Sequence, residues 1–215
     1  GDSTIYEYFT SGPNNGNIKT ISNVNGPAQS YRYDNLGRLI RLADSIPGEI
    51  SMVTTYGYNS YNHNTSVTYP SGITINYVYD ANNYGYLSEI WNGSDMLWKL
   101  NSSNSCGQPL NYNLGNVSQN LQVTFTYDYY KRLSSVLTGQ MKQAYSFDPA
   151  SGNLSYRDYR VNGSPTGLTE NFEYDNMNRL IVSQVIGQAS DSVQYDAIGN
   201  ITEKYDAGSY SYDPV

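Results

Sequence analysis

In 215 residues the sequence contains one cysteine, Cys106, and one histidine, His63. A single thiol excludes a disulfide framework within the chain. One thiol and one imidazole together remove most zinc sites and most Ser-His or Cys-His nucleophiles. Cys106 lies in a Ser-rich stretch with no basic residue nearer than Lys99, so nothing draws it toward a reactive thiolate. Charge is scarce at 14%, and its balance is acidic, with 12 Lys and Arg against 19 Asp and Glu for a formal net charge of -7. A phosphate-backbone binder needs clustered cations, so no nucleic-acid partner is expected. No apolar run approaches the roughly 20 residues of a membrane-spanning helix. No charged-then-apolar leader opens the chain, and neither membrane insertion nor a signal peptide is expected. Stretches with a 3.6-residue apolar period are missing as well, while Gly, Asn and Ser punctuate the chain throughout.

Tyrosine is what the chain has in excess: 24 residues, against 4 Phe and 2 Trp. Tyr favours strands and combines an apolar ring with a wet tip. A chain that places its apolar content in Tyr builds broad, half-wet sheets rather than a thick oily core.

The tyrosines recur in a pattern. Its clearest copy is Tyr31-Arg32-Tyr33-Asp34-Asn35-Leu36-Gly37-Arg38-Leu39. Close copies carry Tyr127, Asp128, Arg132 and Leu133, then Tyr174, Asp175, Arg179 and Leu180, then Tyr195, Asp196, Gly199 and Ile201. Looser ones carry Phe147 and Asp148, Tyr79 and Asp80, and Tyr6-Glu7-Tyr8 leading to Gly16-Asn17-Ile18. Tyr56-Gly57-Tyr58-Asn59 and Leu110-Asn111-Tyr112-Asn113 read as worn examples, and Tyr210-Ser211-Tyr212-Asp213 as one cut short, so the chain is expected to be a piece of a longer one. The spacing is roughly 20–25 residues, within the range of repeat architectures.

Each unit predicts a β-hairpin. Alternation over Tyr31 and Tyr33 has the two-residue period of a strand. Asp34-Asn35-Leu36-Gly37 suits a type I turn closed by a left-handed Gly. Asn178 and Lys131 replace that Gly in two copies, and Lys131 is the weak point, because Lys enters the left-handed region less readily than Asn. The turn sets Asp34 opposite Arg38 and Tyr33 opposite Leu39. The same offsets pair Asp128 with Arg132, Asp175 with Arg179, Tyr127 with Leu133, Tyr174 with Leu180 and Tyr195 with Ile201. Stacked hairpins would line the tyrosines into ladders. The expected fold class is therefore all-β, a single repeat region over 1–215 in which stacked antiparallel β-hairpins form a long, curved or spiralling sheet. Residues 92–120 are its least regular section, either an insertion loop or repeats too decayed to read.

At these residues the chain resembles the YD-repeat or Rhs family, whose pattern is an aromatic, any residue, Tyr-Asp, two or three residues, then Gly-Arg-Leu. Relatives include bacterial Rhs and wall-associated proteins, the C components of insecticidal toxin complexes, and the animal teneurins. The resemblance implies a sheet spiralling into a hollow shell. In bacterial members the shell encloses a variable C-terminal toxin domain, which implies a secreted or cell-surface location. It also implies two partners, the rest of the parent chain and the enclosed domain. The family's self-cleaving Asp-Pro-x-Gly-Leu-like motif is not found here; Asp148-Pro149-Ala150-Ser151-Gly152 reads as an ordinary repeat turn.

The recurring Asp residues, Asp34, Asp80, Asp128, Asp148, Asp175 and Asp196, invite a glycosidase reading, but that reaction needs two carboxyls at a set separation with unequal environments. An Asp at one turn position in every unit is better explained by bonding to the turn backbone. Calcium needs six to eight oxygens, and each turn offers one carboxylate. No enzyme activity, cofactor or metal is expected. The alternative to a structural shell segment is a carbohydrate- or cell-wall-binding module. It would use Tyr84, Tyr86, Trp91 and Trp98 as candidate stacking rings for a polysaccharide, since wall-associated family members imply sugar binding. His63 reads as a polar strand or turn residue. Open sheet edges predict edge-to-edge self-association of an isolated strip.

Overall fold

The computed structural model describes residues 3–81, 85–115, 121–161 and 167–212. Among them there are nineteen β-strands and no helix. In chain order these are β1 (Thr4–Tyr8), β2 (Ile18–Asn23), β3 (Ala28–Tyr33), β4 (Leu39–Ser45), β5 (Met52–Tyr58), β6 (Asn64–Thr68), β7 (Thr74–Asp80), β8 (Tyr86–Asn92), β9 (Asp95–Ser103) and β10 (Pro109–Leu114). They continue with β11 (Leu121–Tyr127), β12 (Leu133–Thr138), β13 (Met141–Phe147), β14 (Leu154–Val161), β15 (Leu168–Tyr174), β16 (Leu180–Val185), β17 (Ser190–Tyr195), β18 (Ile201–Lys204) and β19 (Gly208–Ser209). The chain divides into two compact units, Gly1–Asn101 with Leu114–Asn120, and Ser102–Asn113 with Leu121–Val215. Strands β1 to β9 and strands β11 to β19 pair antiparallel with their neighbours in sequence, as in β3 with β4 and β15 with β16. This is the expected run of hairpins.

The predicted turn is present. Asp34 N–H donates to Arg38 O at 2.9 Å, Gly37 N–H donates to Asp34 O at 3.1 Å, and Gly37 has φ 76. Asn178 and Lys131 take the same left-handed conformation at φ 60 and φ 65. The Tyr-aliphatic pairs lie in register: Tyr33 with Leu39, Tyr127 with Leu133, Tyr174 with Leu180 and Tyr195 with Ile201. The looser copies do the same, with Tyr79 opposite Leu87, Phe147 opposite Leu154 and Tyr8 opposite Ile18.

One feature was not expected from the pattern. In eight hairpins the register shifts immediately before the central aromatic, as between Arg32 and Tyr33. Tyr33 pairs with Leu39 but Arg32 with Arg41, so Ile40 is an extra, bulged residue. A bulge leaves ladder groups unpaired and strengthens the local twist.

Residues 95–114 are strand, turn and strand. The turn is Asn104-Ser105-Cys106-Gly107-Gln108, closed by Asn104 N–H to Gln108 O at 2.9 Å with Gly107 at φ 78. Tyr112 is therefore not the ring at the head of a turn; it lies within β10, after the turn of its unit. The pattern was hidden because Ser103 stands where the aromatic belongs and Gln108 where the Arg belongs. Residues 116–120 lie outside those described.

No thick core forms. Among the described residues only Ala43 and Val123 are buried apolar side chains, and of the described tyrosines 11 are half-buried and 12 exposed. Cohesion must then come from within the plane of the sheet, and backbone strain at a turn is felt directly. Lys131 carries a side chain in the left-handed region, which costs about 1–2 kcal/mol. Lys131→Gly is expected to raise stability by about 1 kcal/mol despite the added chain entropy, checked by denaturant or thermal unfolding.

Candidate functional site: the turn row

The Asp at each turn organises the backbone around it. Asp175 Oδ1 accepts hydrogen bonds from the N–H groups of Met177 and Arg179, both at 2.9 Å, while Oδ2 accepts from Arg179 Nε at 2.6 Å. Asp34 is bonded alike to Leu36 and Arg38, and Asp128 to Arg132. Asn59 and Asn104 repeat the backbone half of this arrangement without a charge, Asn59 accepting from Tyr61 and His63, Asn104 from Cys106 and Gln108. The turn thus needs a side-chain oxygen, and the carboxylate adds an ion pair.

These bonds hold the carboxyls below their ordinary range. For Asp34 the leading cause is the Arg38 side chain, and for Asp175 it is the Arg179 backbone N–H. For Asp148 the backbone N–H and then the hydroxyl of Ser151 lead. At Asp128 and Asp196 partial desolvation pushes upward, and the bonds from Arg132 and Asn200 outweigh it. Such environments stabilise the ionised form and do not leave a proton donor poised for chemistry.

The residue four places after the Asp does more than neutralise it. Arg38 bonds its own Asp34, lies over the ring of Tyr58 in the next unit at 4.7 Å from the centroid, and donates from Nη1 to Asn59 O at 3.0 Å. Arg179 does the same with Tyr195 at 4.7 Å and Asp196 O at 3.0 Å. Arg132 covers Phe147 at 4.5 Å and reaches Gly152 O at 3.4 Å. Where the Arg is replaced, the reach persists. Gln108 Nε2 donates to Lys131 O at 2.9 Å, Asn153 Nδ2 donates to Asn178 Oδ1 at 2.9 Å, and His63 stacks on Tyr79 at 4.4 Å. His63 is therefore a repeat residue, a role its neighbours in sequence did not announce. At these six positions one turn is clasped to the next within its unit.

Tyrosine closes the clasp from the other side. Tyr58 OH donates to Leu39 O at 2.9 Å, Tyr79 OH to Asn64 O at 2.8 Å and Tyr195 OH to Leu180 O at 2.9 Å. Tyr127 OH reaches Pro109 O, and Tyr212 OH reaches Ile201 O. Leu39, Asn64, Leu180 and Ile201 stand just before bulges, beyond the paired register with the next strand, which for β4 and β5 runs from Arg41↔Thr55. The hydroxyl satisfies a carbonyl that the bulge frees, as a half-buried acceptor requires. Burial, with smaller contributions from neighbouring tyrosines, raises the phenol pKa of Tyr33, Tyr56 and Tyr77 on this face.

The candidate sugar-contact rings do not converge. Tyr84 lies outside the described residues. Tyr86 is exposed at the end of a hairpin, opposite Asp80. Trp98 pairs with Ile90 and Trp91 with Met96. Ile90 and Trp91 are adjacent on β8, so the two indoles face opposite sides of the sheet. Trp91 Nε1 donates to Glu89 Oε2 at 2.8 Å, and Glu89 is also paired with Lys99 at 2.9 Å. Among the described residues no group of three or more His, Cys, Asp or Glu side chains is arranged to hold a metal ion.

Two outcomes follow from this geometry. Phe147 occupies the ring position under Arg132 but lacks the hydroxyl for Leu133 O. Phe147→Tyr is expected to add about 0.5–1.5 kcal/mol of stability, and Tyr195→Phe to remove a similar amount, both read from chemical denaturation. Because the turn carboxyls are depressed, their contribution is complete above the unfolded Asp value near pH 4 and is lost as pH falls through the folded values. The melting temperature is expected to hold from pH 7 to 5 and to drop below about pH 4. The drop should be shallower in Asp175→Asn, which keeps the turn acceptor and loses the titration.

No family model matches the sequence, and no curated protein matches it. Solved structures do. The crystal structure of TcdB2-TccC3 without its hypervariable C-terminal region superposes with a TM-score of 0.66 at 14% identity, over 88% of this chain and 12% of that one. The TcdB2-TccC3-Cdc42 crystal structure gives 0.56 at 13% identity, over 94% and 13%. A Photorhabdus luminescens Tc holotoxin pore with a mutated TccC3 gives 0.53 at 14% identity, over 94% and 12%. The chain spans about an eighth of these much longer proteins, and what it shares with them is the fold, a run of antiparallel hairpins.

Proposed function

We propose that this chain is a non-catalytic wall segment of a larger secreted or surface protein of the bacterial YD-repeat type. It would contribute hairpins to a β-shell that encloses or presents a C-terminal toxin or effector domain. The observation that carries this reading is the turn-to-turn clasp. The same three devices recur from hairpin to hairpin: the Asx turn, the cross-turn cation or amide, and the tyrosine hydroxyl on the bulge carbonyl. Their recurrence builds continuity along a wall, whereas a catalytic site breaks a local pattern at one place. The fold shared with the toxin-complex structures supports the same reading. The partners are then the rest of the parent chain and the enclosed domain.

Limited proteolysis of the full-length protein that carries this chain tests the proposal. The downstream domain is expected to resist cleavage in the intact protein and to become sensitive when the clasp is opened by Arg179→Ala with Tyr195→Phe. A downstream domain cut equally fast in both proteins would overturn the enclosing role.

A further inference from the structure

Seven of the 12 Lys and Arg residues form an ion pair with a carboxylate. Among the described residues Lys19, Arg32, Arg41, Lys131 and Lys142 form none. Three of those five, Lys19, Arg32 and Arg41, line one concavity of about 520 Å³ on the first unit. In a chain of net charge -7, that concentration of uncompensated positive charge runs against the overall balance.

The register sets two of these cations side by side. Arg32 and Arg41 are direct cross-strand partners, a placement that brings Cβ atoms to about 4.5–5.5 Å and destabilises like charges. The second unit contains the same kind of pair, Lys142 opposite Arg160. There the sequence supplies the counter-charge: Arg160 pairs with Asp158, which also accepts from Thr169 Oγ1 at 2.6 Å. Among the described residues no carboxylate forms an ion pair with Arg32 or Arg41. Glu7 lies on the same face of β1, but it accepts from Thr20 Oγ1 at 2.9 Å and forms no ion pair with the three cations. Two guanidinium forks side by side match the paired oxygens of a carboxylate or phosphate, and Lys19 adds a third donor group.

We propose that Lys19, Arg32 and Arg41 form an oxyanion-binding site that takes a phosphate or carboxylate group. That group could come free, as inorganic phosphate, or on the uronic acids of an acidic polysaccharide. The site stands independently of the wall-segment reading.

Calorimetric titration and thermal unfolding at fixed ionic strength test it. The probes are sodium phosphate against sodium chloride, and polygalacturonate against neutral dextran. At least one anionic probe is expected to bind and to raise the melting temperature with concentration. Arg32→Gln and Arg41→Gln should each weaken that binding tenfold or more, and Lys142→Gln should leave it unchanged. Removing one of two facing charges should leave the ligand-free melting temperature equal or higher, so lost binding cannot be ascribed to unfolding. Binding of polygalacturonate alone assigns the carboxylate source, and binding of phosphate alone assigns the free ion. The proposal is overturned if neither probe exceeds its control, if Arg41→Gln binds as tightly as the unmodified chain, or if Lys142→Gln weakens binding equally.

Discussion

The fold depends on a side chain reaching from one turn to the next. Strands with almost nothing fully buried among the described residues cannot rely on a hydrophobic interior, and isolated two-stranded hairpins are marginal in water. What remains is cohesion within the sheet. The ladder hydrogen bonds supply it along the strands. At the turn ends, where the bulge interrupts the ladder, the Arg of one unit covers the aromatic ring of the next and bonds its turn carbonyl. The guanidinium suits this triple duty because its planar fork can bond a carboxylate, stack on a ring and still donate elsewhere. Its replacements each retain part of that duty, Gln108 the hydrogen bond and His63 the stacking.

The bulge and the tyrosine hydroxyl belong together. In the eight bulged hairpins an extra residue in one strand frees a carbonyl, and a half-buried carbonyl without a donor is costly. The phenol of the following unit arrives at that atom, which accounts for the preference for Tyr over Phe at the central position. Tyr supplies ring area for packing and a donor at a fixed distance from the backbone. Position 147, where Phe stands, shows that the ring alone satisfies the packing.

Much of the fold could be read from the sequence because the turn chemistry is local. Asp, two or three residues, Gly and Arg within one short segment specify a turn, its left-handed residue and the first cross-strand pair, and all three are found as expected at Asp34–Leu39 and Asp175–Leu180. The section around Asn104 escaped because an Asn-Ser-Cys-Gly-Gln turn has the right physics with unfamiliar letters. The nearest tyrosine, Tyr112, lies eight residues further on, within β10 and out of phase with that turn. The bulge was not legible, since no residue type marks it; it follows from the turn and the sheet together. The clasp was not legible either, because its partners lie 17–21 residues apart in the clearest cases and only the three-dimensional stacking joins them. Seven cations are explained by near or cross-strand carboxylates, whereas Arg32 and Arg41 face each other through a register that the bulge shifts by one residue.

Because each hairpin touches only the one before and the one after within its unit, its interactions are nearest-neighbour in character, as in solenoids. Such a molecule can be lengthened or shortened by whole hairpins with no readjustment of distant parts, since an added unit brings its own donor for the carbonyl behind it and its own cation for the ring ahead. Damage travels no further: a broken joint weakens two neighbours and leaves the remaining row intact. Size in this architecture is accordingly an adjustable quantity, set by the number of copies strung together rather than by the volume of an interior.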